Sequence, residues 1–321
     1  MDNIILEEKE ELEMKHYVVT GGCGFIGSHL VECLAVDNYV TVIDDLSVGK
    51  IENFGSVREQ FPDNVRFLRG SITDLSFLQG AMKSVNGIFH HAALASVPES
   101  IADPIKSHDV NATGTLNVLM AARNNDVKVV FASSSAVYGD AAQIPIDESS
   151  PPCPLSPYAV QKHLGEEYCT VFTELYGLAT VCLRYFNVYG PRQNPYSAYA
   201  AVIPKFIDAV RYSASPVIYG DGTQTRDFVH VSDVVRANIM AMESSETGIY
   251  NVAGGSATTI KQLAEIVCSA FGCDVDPEYV PARKGDILHS SADISRARDV
   301  FGWKPQISVE EGVTCLCGMN S

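Results

Sequence analysis

His16-Tyr17-Val18-Val19-Thr20-Gly21-Gly22-Cys23-Gly24-Phe25-Ile26-Gly27-Ser28-His29-Leu30-Val31 reads as a short apolar strand running into a glycine-rich turn that enters a helix. Gly22, Gly24 and Gly27 match G-x-G-x-x-G, and Gly21, Gly24 and Gly27 match G-x-x-G-x-x-G. In that setting the glycines let backbone approach a pyrophosphate, which sits at the helix N-terminus. A glycine turn alone is common. Here a second strand follows, Val40-Thr41-Val42-Ile43, and ends in Asp44. An acid at that place can bind both ribose hydroxyls of an adenosine, and it favours NAD over NADP because a 2′-phosphate would be repelled.

The alternation continues outward from this unit. Val65-Arg66-Phe67-Leu68 and Gly87-Ile88-Phe89-His90-His91 read as strands, the second followed by the small residues Ala92-Ala93-Leu94-Ala95. Asp103-Pro104 opens a helix carrying Asn111, Gly114 and Leu116, and Val127-Lys128-Val129-Val130-Phe131-Ala132 is a fifth strand, ending in Ser133-Ser134-Ser135. Ala179-Thr180-Val181-Cys182-Leu183-Arg184 is another. Repeated β–α units with apolar strands imply an α/β fold, a doubly wound parallel sheet with helices on both faces and ligands at the carboxyl ends of its strands. Gly24, Asp44, Ala93 and Ser134 would collect on that edge. Residues 191–225 shift to Pro, Tyr, Gly and Ser, with one helix near 203–210. Beyond them come a strand, Arg226-Asp227-Phe228-Val229-His230-Val231, and helices at 233–243 and 260–271. The expected organisation is a Rossmann domain over 1–185, to which the strand and helix of 226–257 return. A smaller mixed α/β substrate domain would comprise 186–225 and 258–321.

With 321 residues, 46% of them hydrophobic, the chain can bury a large core in one two-lobed unit or two domains. A net charge of −16 argues against a nucleic-acid partner or an anionic membrane surface. No apolar run approaches 18 residues, and the acidic start lacks a signal peptide's basic and apolar regions. Nine cysteines without disulfide-scaffold spacing predict reduced thiols in a cytoplasmic compartment. Cys315-Leu316-Cys317 has no second ligand pair beside it, so no metal is expected.

Ser156-Pro157-Tyr158-Ala159-Val160-Gln161-Lys162 reads as a helix start, with Ser156 as N-cap and Pro157 at the first helical position. Tyr158 and Lys162 then share one face a turn apart. A cation near a phenol favours the phenolate, which makes Tyr158 a candidate general base. Taken alone, a Tyr-x-x-x-Lys pair arises easily by accident.

The assembled motifs resemble the extended short-chain dehydrogenase/reductases, the NAD-dependent nucleotide-sugar epimerases and dehydratases. Thr20-Gly21-Gly22-Cys23-Gly24-Phe25-Ile26-Gly27, His91-Ala92-Ala93, Asn111-Ala112-Thr113-Gly114-Thr115, Ser133-Ser134-Ser135-Ala136-Val137-Tyr138-Gly139, Tyr158-x-x-x-Lys162 and Arg184-Tyr185-Phe186-Asn187-Val188-Tyr189-Gly190 occur in that family's order, over roughly 16–315. Within it the chain looks like a UDP-sugar 4-epimerase. The run Asn194-Pro195 to Phe206, with His289-Ser290-Ser291-Ala292-Asp293, is similar to the UDP-N-acetylglucosamine 4-epimerase group.

The resemblance implies NAD as cofactor, held by Gly21, Gly24, Phe25, Ile26, Asp44, Asp45, Ser71, Ile72, Ala92, Ala93, Asn111, Ser133, Tyr158, Lys162 and Tyr185. Where the family often has an Asp that bonds the adenine amine, Ser71 stands. Ser134, Ser135, Tyr158 and Lys162 are the implied catalytic set. Ser96, Ser134, Tyr158, Asn187, Val202, Arg226, Arg283, Asp286 and Ser290 would meet a UDP-sugar, the two arginines at its diphosphate. The reaction implied is interconversion of UDP-N-acetylglucosamine and UDP-N-acetylgalactosamine through a transient 4-keto sugar, with the UDP-glucose/UDP-galactose pair as further substrates. A homodimer is expected from a second apolar face on the helices starting at Pro104 and Pro157, seen in Leu164, Tyr168, Val171 and Leu175. A 4,6-dehydratase would carry Asp-Glu where Ser135 and Ala136 stand. A UDP-glucuronate 4-epimerase or decarboxylase is an alternative of the same fold. A non-catalytic NAD-binding scaffold is another, against which the intact Ser134, Tyr158 and Lys162 argue.

Overall fold

The computed structural model describes residues 14–141, 143–194, 202–273, 275–282 and 288–318. Arg283, Asp286, the 195–201 stretch and the acidic start lie outside them. The strands are β1 (His16–Thr20), β2 (Tyr39–Asp44), β3 (Val65–Arg69), β4 (Gly87–His90), β5 (Val129–Ser134), β6 (Thr180–Tyr185), β7 (Asn187–Tyr189), β8 (Val217–Tyr219), β9 (Thr225–His230), β10 (Gly248–Val252), β11 (Ala257–Thr259) and β12 (Glu278–Val280). The α-helices are α1 (Phe25–Leu34), α2 (Gly55–Gln60), α3 (Leu75–Ala81), α4 (Val97–Ala102), α5 (Pro104–His108), α6 (Gly114–Arg123), α7 (Pro157–Tyr176), α8 (Val202–Arg211), α9 (Val231–Glu243), α10 (Ile260–Ala270), α11 (Ser295–Phe301) and α12 (Val309–Gly318).

Seven strands form one parallel sheet in the order β10-β6-β5-β4-β1-β2-β3. Their apolar runs are what a parallel sheet covered on both faces requires: Val18, Val19, Phe89, Val130 and Val181 are fully buried. The chain steps outward from β1 to β3 and then returns across β1 to β4, so the strand order reverses between β1 and β4. A crevice opens at such a switch point, outside the carboxyl ends of the strands.

The long helix α7 follows from its ends. Ser156 Oγ accepts from Ala159 N at 3.2 Å, Pro157 occupies the first turn, and Gly177 closes the helix in the left-handed region at φ +69°. Between α5 and α6 the helix widens into a π-turn over Asp109–Thr113, a device frequent at functional sites.

The remaining strands form two small sheets, β11-β9-β7 and β12-β8. The strand expected at 226–231 lies here, in β9, and it is β10 that joins the large sheet from that stretch. Several of these strands are only three residues long, too short for alternation to register in a sequence. A separate core of Tyr189, Ile203, Phe206, Leu263, Val267 and Val313 holds α8, α10 and α12 against the three-stranded sheet.

Candidate active site

The glycine loop is shaped by backbone against backbone. A Cβ on Gly21, which has φ +71°, would stand 2.6 Å from Ala92 N, so the turns after β1 and β4 touch directly. A Cβ on Gly27 would strike the Gly21 carbonyl. Gly24 is the N-cap of α1 and offers no side-chain cap. The first-turn N–H groups of Phe25 and Ile26 therefore face outward, available to an anion.

Asp44 ends β2 beside that loop. Its Oδ2 accepts from Cys23 N at 3.0 Å and its Oδ1 from Leu46 N at 2.8 Å. Burial raises its pKa, while the two backbone donors pull it back. Asp45 Oδ1 accepts from Ser47 N at 2.9 Å, and Ser71 Oγ pairs with Thr73 Oγ1 at 2.9 Å. Ile72 packs where a side chain on Gly114 would stand. Together these form a cradle that would fit a dinucleotide.

Several residues expected at the cofactor spend their side chains on the protein itself. Asn111 Oδ1 accepts from Leu94 N at 2.8 Å, and its amide donates to Leu94 O, Ser107 Oγ and Gln161 Oε1. It thus pins the turn after β4 to α7. Ser133 Oγ donates to Glu166 Oε1 at 2.5 Å. The Tyr185 hydroxyl bonds Asn238 at 3.0 Å and its ring stacks on His91.

Ser134 and Tyr158 are brought together at the end of β5, where the Ser134 hydroxyl is near enough to the phenol to act on its ionisation. Ser134 Oγ also accepts from Ala136 N at 3.2 Å, and Ser135 opens the next turn, half-buried. Tyr158 N donates to Ser100 Oγ at 3.1 Å. The lowering of the Tyr158 pKa expected from Lys162 is not among the influences on the phenol in this structure. Burial pushes the phenol up, and the neighbouring Ser134 hydroxyl pulls the other way. The reason is where the ammonium goes: Lys162 Nζ donates to Ala132 O at 2.7 Å and lies 5.9 Å from the Tyr158 ring centroid. Burial lowers Lys162 to about 8, with Glu166 the chief opposing charge.

On the other side a cavity of about 280 Å³ is lined by Asn187, Val202, Tyr219, Gln224, Arg226 and Phe228, among others. Asn187 Nδ2 donates to Asp227 O, and Arg226 Nη1 to Thr225 O at 2.8 Å. Ser96 caps α4 instead of standing free, accepting from Glu99 N at 3.3 Å. Ser290 is half-buried in a segment tied at both ends: Thr225 N donates to Leu288 O at 2.9 Å, and Ile146 N to Ser291 O at 2.8 Å.

Sequence reasoning missed Glu166, Arg184 and Asp227 as builders of this site. Arg184 Nε and Nη2 reach Glu166 at 2.8 and 2.7 Å. Asp227 is fully buried, accepts from Gly255 N and Ala292 N, and is raised to about 6, chiefly by that burial. For Arg184 and Asp227 the available signal was a charge within an apolar strand, which a buried site tolerates only when its polar partners are supplied, whereas Glu166 lies on α7.

Residues 17–253 match the model of the NAD dependent epimerase/dehydratase family. A putative UDP-glucose 4-epimerase of Methanocaldococcus jannaschii is 40% identical over 300 residues, covering 92% of this chain and 95% of the relative. A structure of UDP-N-acetylglucosamine 4-epimerase from Methanobrevibacter ruminantium M1, in complex with UDP-N-acetylmuramic acid, superposes with a TM-score of 0.90. It is 46% identical and the match covers 95% of this chain and 99% of that one. UDP-glucose 4-epimerase of Thermotoga maritima, solved with UDP-glucose, gives a TM-score of 0.88 at 38% identity, over 94% and 97% of the two chains.

Proposed function

Because the chain belongs to the NAD dependent epimerase/dehydratase family, we propose that it is a UDP-sugar 4-epimerase acting chiefly on UDP-N-acetylglucosamine and UDP-N-acetylgalactosamine. The observation that carries the reading is the convergence of Ser134, at the end of β5, and Tyr158, at the start of α7, at the carboxyl edge of the sheet, beside the crevice between the turns after β1 and β4. In this reading the large parallel sheet and its helices hold NAD, and the small sheets with α8 and α10 hold the nucleotide sugar.

The pyrophosphate of NAD would lie on the N–H groups of Phe25 and Ile26, and Asp44 would take the adenosine ribose. Gly21, Gly24, Ala92 and Ala93 supply close-approach backbone. Asn111 acts by fixing the Leu94 turn. Bound NAD supplies reversible acceptance of the hydride from the sugar's C4. The protein's own part is at O4. Tyr158 takes the O4 proton and later returns it, while Ser134 hydrogen-bonds the same oxygen and Ser135 assists. The C4–H and O4–H bonds break, a 4-keto sugar rotates, and both bonds re-form on its other face, so nothing is oxidised overall. The Ser134 contact already favours the phenolate, the direction that a base needs.

Asn187 and Val202 would meet the nucleotide, with Arg226 and Arg283 at its diphosphate and Asp286 among the other residues of the sugar site. Ser290 is read as the gate beside the hexose: a small side chain leaves the volume that an acetamido group sweeps when the keto sugar turns. Mixing the protein separately with UDP-glucose, UDP-N-acetylglucosamine and UDP-glucuronate and scoring C4 epimers tests the reading. Conversion of the N-acetyl pair, with weaker conversion of the plain pair, is expected. No C4 epimer from any of the three would reject it.

A homodimer belongs to the same proposal. Val160, Val171 and Leu175 of α7 are exposed, and Ile101 and Ile105 of α4 and α5, which pack on α7, are 61% and 76% exposed. An uncovered apolar face of that kind pairs readily across a two-fold axis. A single-chain mass by light scattering at micromolar concentration would remove the dimer.

A further inference from the structure

Glu166 lies one turn beyond Lys162 on α7, and a run of buried polar contacts leads away from it. Its carboxylate holds Ser133 and Arg184. The Arg184 guanidinium stands 4.6 Å from the centroid of the Tyr138 ring. The Tyr138 hydroxyl donates to Asn251 Oδ1 at 2.7 Å. Asn251 Nδ2 then donates to two carbonyls, Ile146 O at 2.9 Å and Asp293 O at 3.1 Å, and its backbone N–H donates to Glu148 Oε1 at 2.7 Å.

Those two carbonyls belong to a pair of crossing segments. Ile146 pairs with Ala292, through Ile146 N to Ser291 O at 2.8 Å and Asp293 N to Ile146 O at 2.9 Å. The Asn251 amide clips this bridge from below, and Ser290 is the neighbour of the bridged residues. All four hydrogen-bonding positions named for Asn251 are filled by atoms of the fold: one acceptor at Tyr138, both amide protons and the backbone N–H. Asn251 and Tyr138 are buried, so a lost partner would leave a polar atom that water does not reach.

We propose that Asn251 is a positioning residue for the hexose side of the site, holding the 288–293 segment and Ser290 in place, and that Tyr138 orients it. The hexose part of this statement rests on the reading of Ser290 as the gate. Tyr138 also joins Asn251 to the Arg184–Glu166–Ser133 cluster, which braces the end of β5 against α7. The gate and the Ser134–Tyr158 pair are thereby built on one continuous buried frame. Asp227, reached by Ala292 N at 3.0 Å, anchors the same segment from the small sheet.

The test is Tyr138→Phe, which keeps the ring under Arg184 and removes only the hydroxyl; Asn251→Ala is the stronger variant. Two readouts are taken on the NAD-loaded protein. Amide hydrogen exchange at Ile146 and Asp293 should speed up about tenfold in Tyr138→Phe, with Val18 and Val130 in the large sheet unchanged, as expected for orphaning one buried acceptor. The KM for UDP-N-acetylglucosamine should rise roughly fivefold to tenfold, with kcat and bound NAD nearly kept. Unchanged exchange at Ile146 and Asp293 overturns the proposal. So does a loss of kcat in step with bound NAD, which marks a general structural defect. If the wild-type protein turns over no UDP-sugar, the functional reading fails, and the exchange experiment alone decides the positioning role.

Discussion

The two sides of the site are built by different means. At Gly21–Gly27 the recognising surface is backbone, shaped within a dozen residues and pressed onto one neighbouring turn. On the proposed sugar side, at Arg226 and Ser290, it would consist of side chains on β9 and the 288–293 segment, registered through Asp227, Ile146 and Asn251 from distant parts of the chain. A backbone site is made by local sequence, and its chemistry changes little with the side chains around it. A side-chain site assembled over long range can change specificity by one substitution and leave the cofactor side untouched.

The largest expected effect lies where the two sides meet. Tyr158→Phe removes the group proposed to move the O4 proton, and general acid–base catalysis is commonly worth about 10²–10⁴ in rate. Epimerisation should fall by about that factor, while NAD content and UDP affinity stay near wild type. Near-normal turnover would strip Tyr158 of its role and leave the comparison without its hinge.

That difference also governs how much could be read beforehand. The strand–glycine–helix unit, Asp44 and the α7 cap were legible because each depends on neighbours in sequence: Ser156 and Pro157 define a helix start with no tertiary help. The partner of the Lys162 ammonium was illegible for the opposite reason. Spacing puts it a turn from Tyr158, but only the fold brings Ala132 O within 2.7 Å of it. Arg184 and Asp227 were visible as residues and opaque as partners, since Arg184 meets Glu166 on the preceding helix and Asp227 is met by Gly255 and Ala292 from later loops. The short strands β7, β8, β11 and β12 escaped notice because three residues carry no period.

Next in size, Arg226→Ala should weaken UDP-sugar binding about tenfold to a hundredfold. A charge-assisted hydrogen bond to phosphate is worth about 1.5–3 kcal/mol. The loss should fall on KM with kcat retained, because the diphosphate is bound equally before and during reaction. Titration calorimetry with UDP reads it directly. Unaltered UDP affinity would move the diphosphate away from β9.

Ser290→Tyr sharpens the contrast further. Overfilling a packed site costs roughly 1–3 kcal/mol, about tenfold to a hundredfold in rate. The loss should fall on the N-acetyl pair, with the UDP-glucose/UDP-galactose reaction spared and NAD content unchanged. Equal slowing of both pairs would mean that another residue sets the width of the hexose side.

The smallest effect concerns the charge of Lys162, on the cofactor side, and is read in stability. Its pKa in the fold is lowered from 10.5 to about 8, first by burial, against the pull of Glu166. In the unfolded chain the ammonium keeps its ordinary value, so between about 8 and 10.5 the unfolded state binds more protons than the folded one. Stability therefore rises with pH across that window. Below it both states are charged and the cost of burying the ammonium is present in full; above it both are neutral and that cost is gone. Lys162→Met keeps the length and discards the charge, and orphans Ala132 O by the same amount at every pH. Denaturant unfolding of cofactor-free wild type and variant at pH 7.5 and 9.5 isolates the term, because other titrating groups cancel in the difference. The wild type should gain on the variant by on the order of 1 kcal/mol between the two pH values. A difference that stays flat would mean that Lys162 titrates as an ordinary lysine and that its ammonium is better solvated than its contact with Ala132 implies.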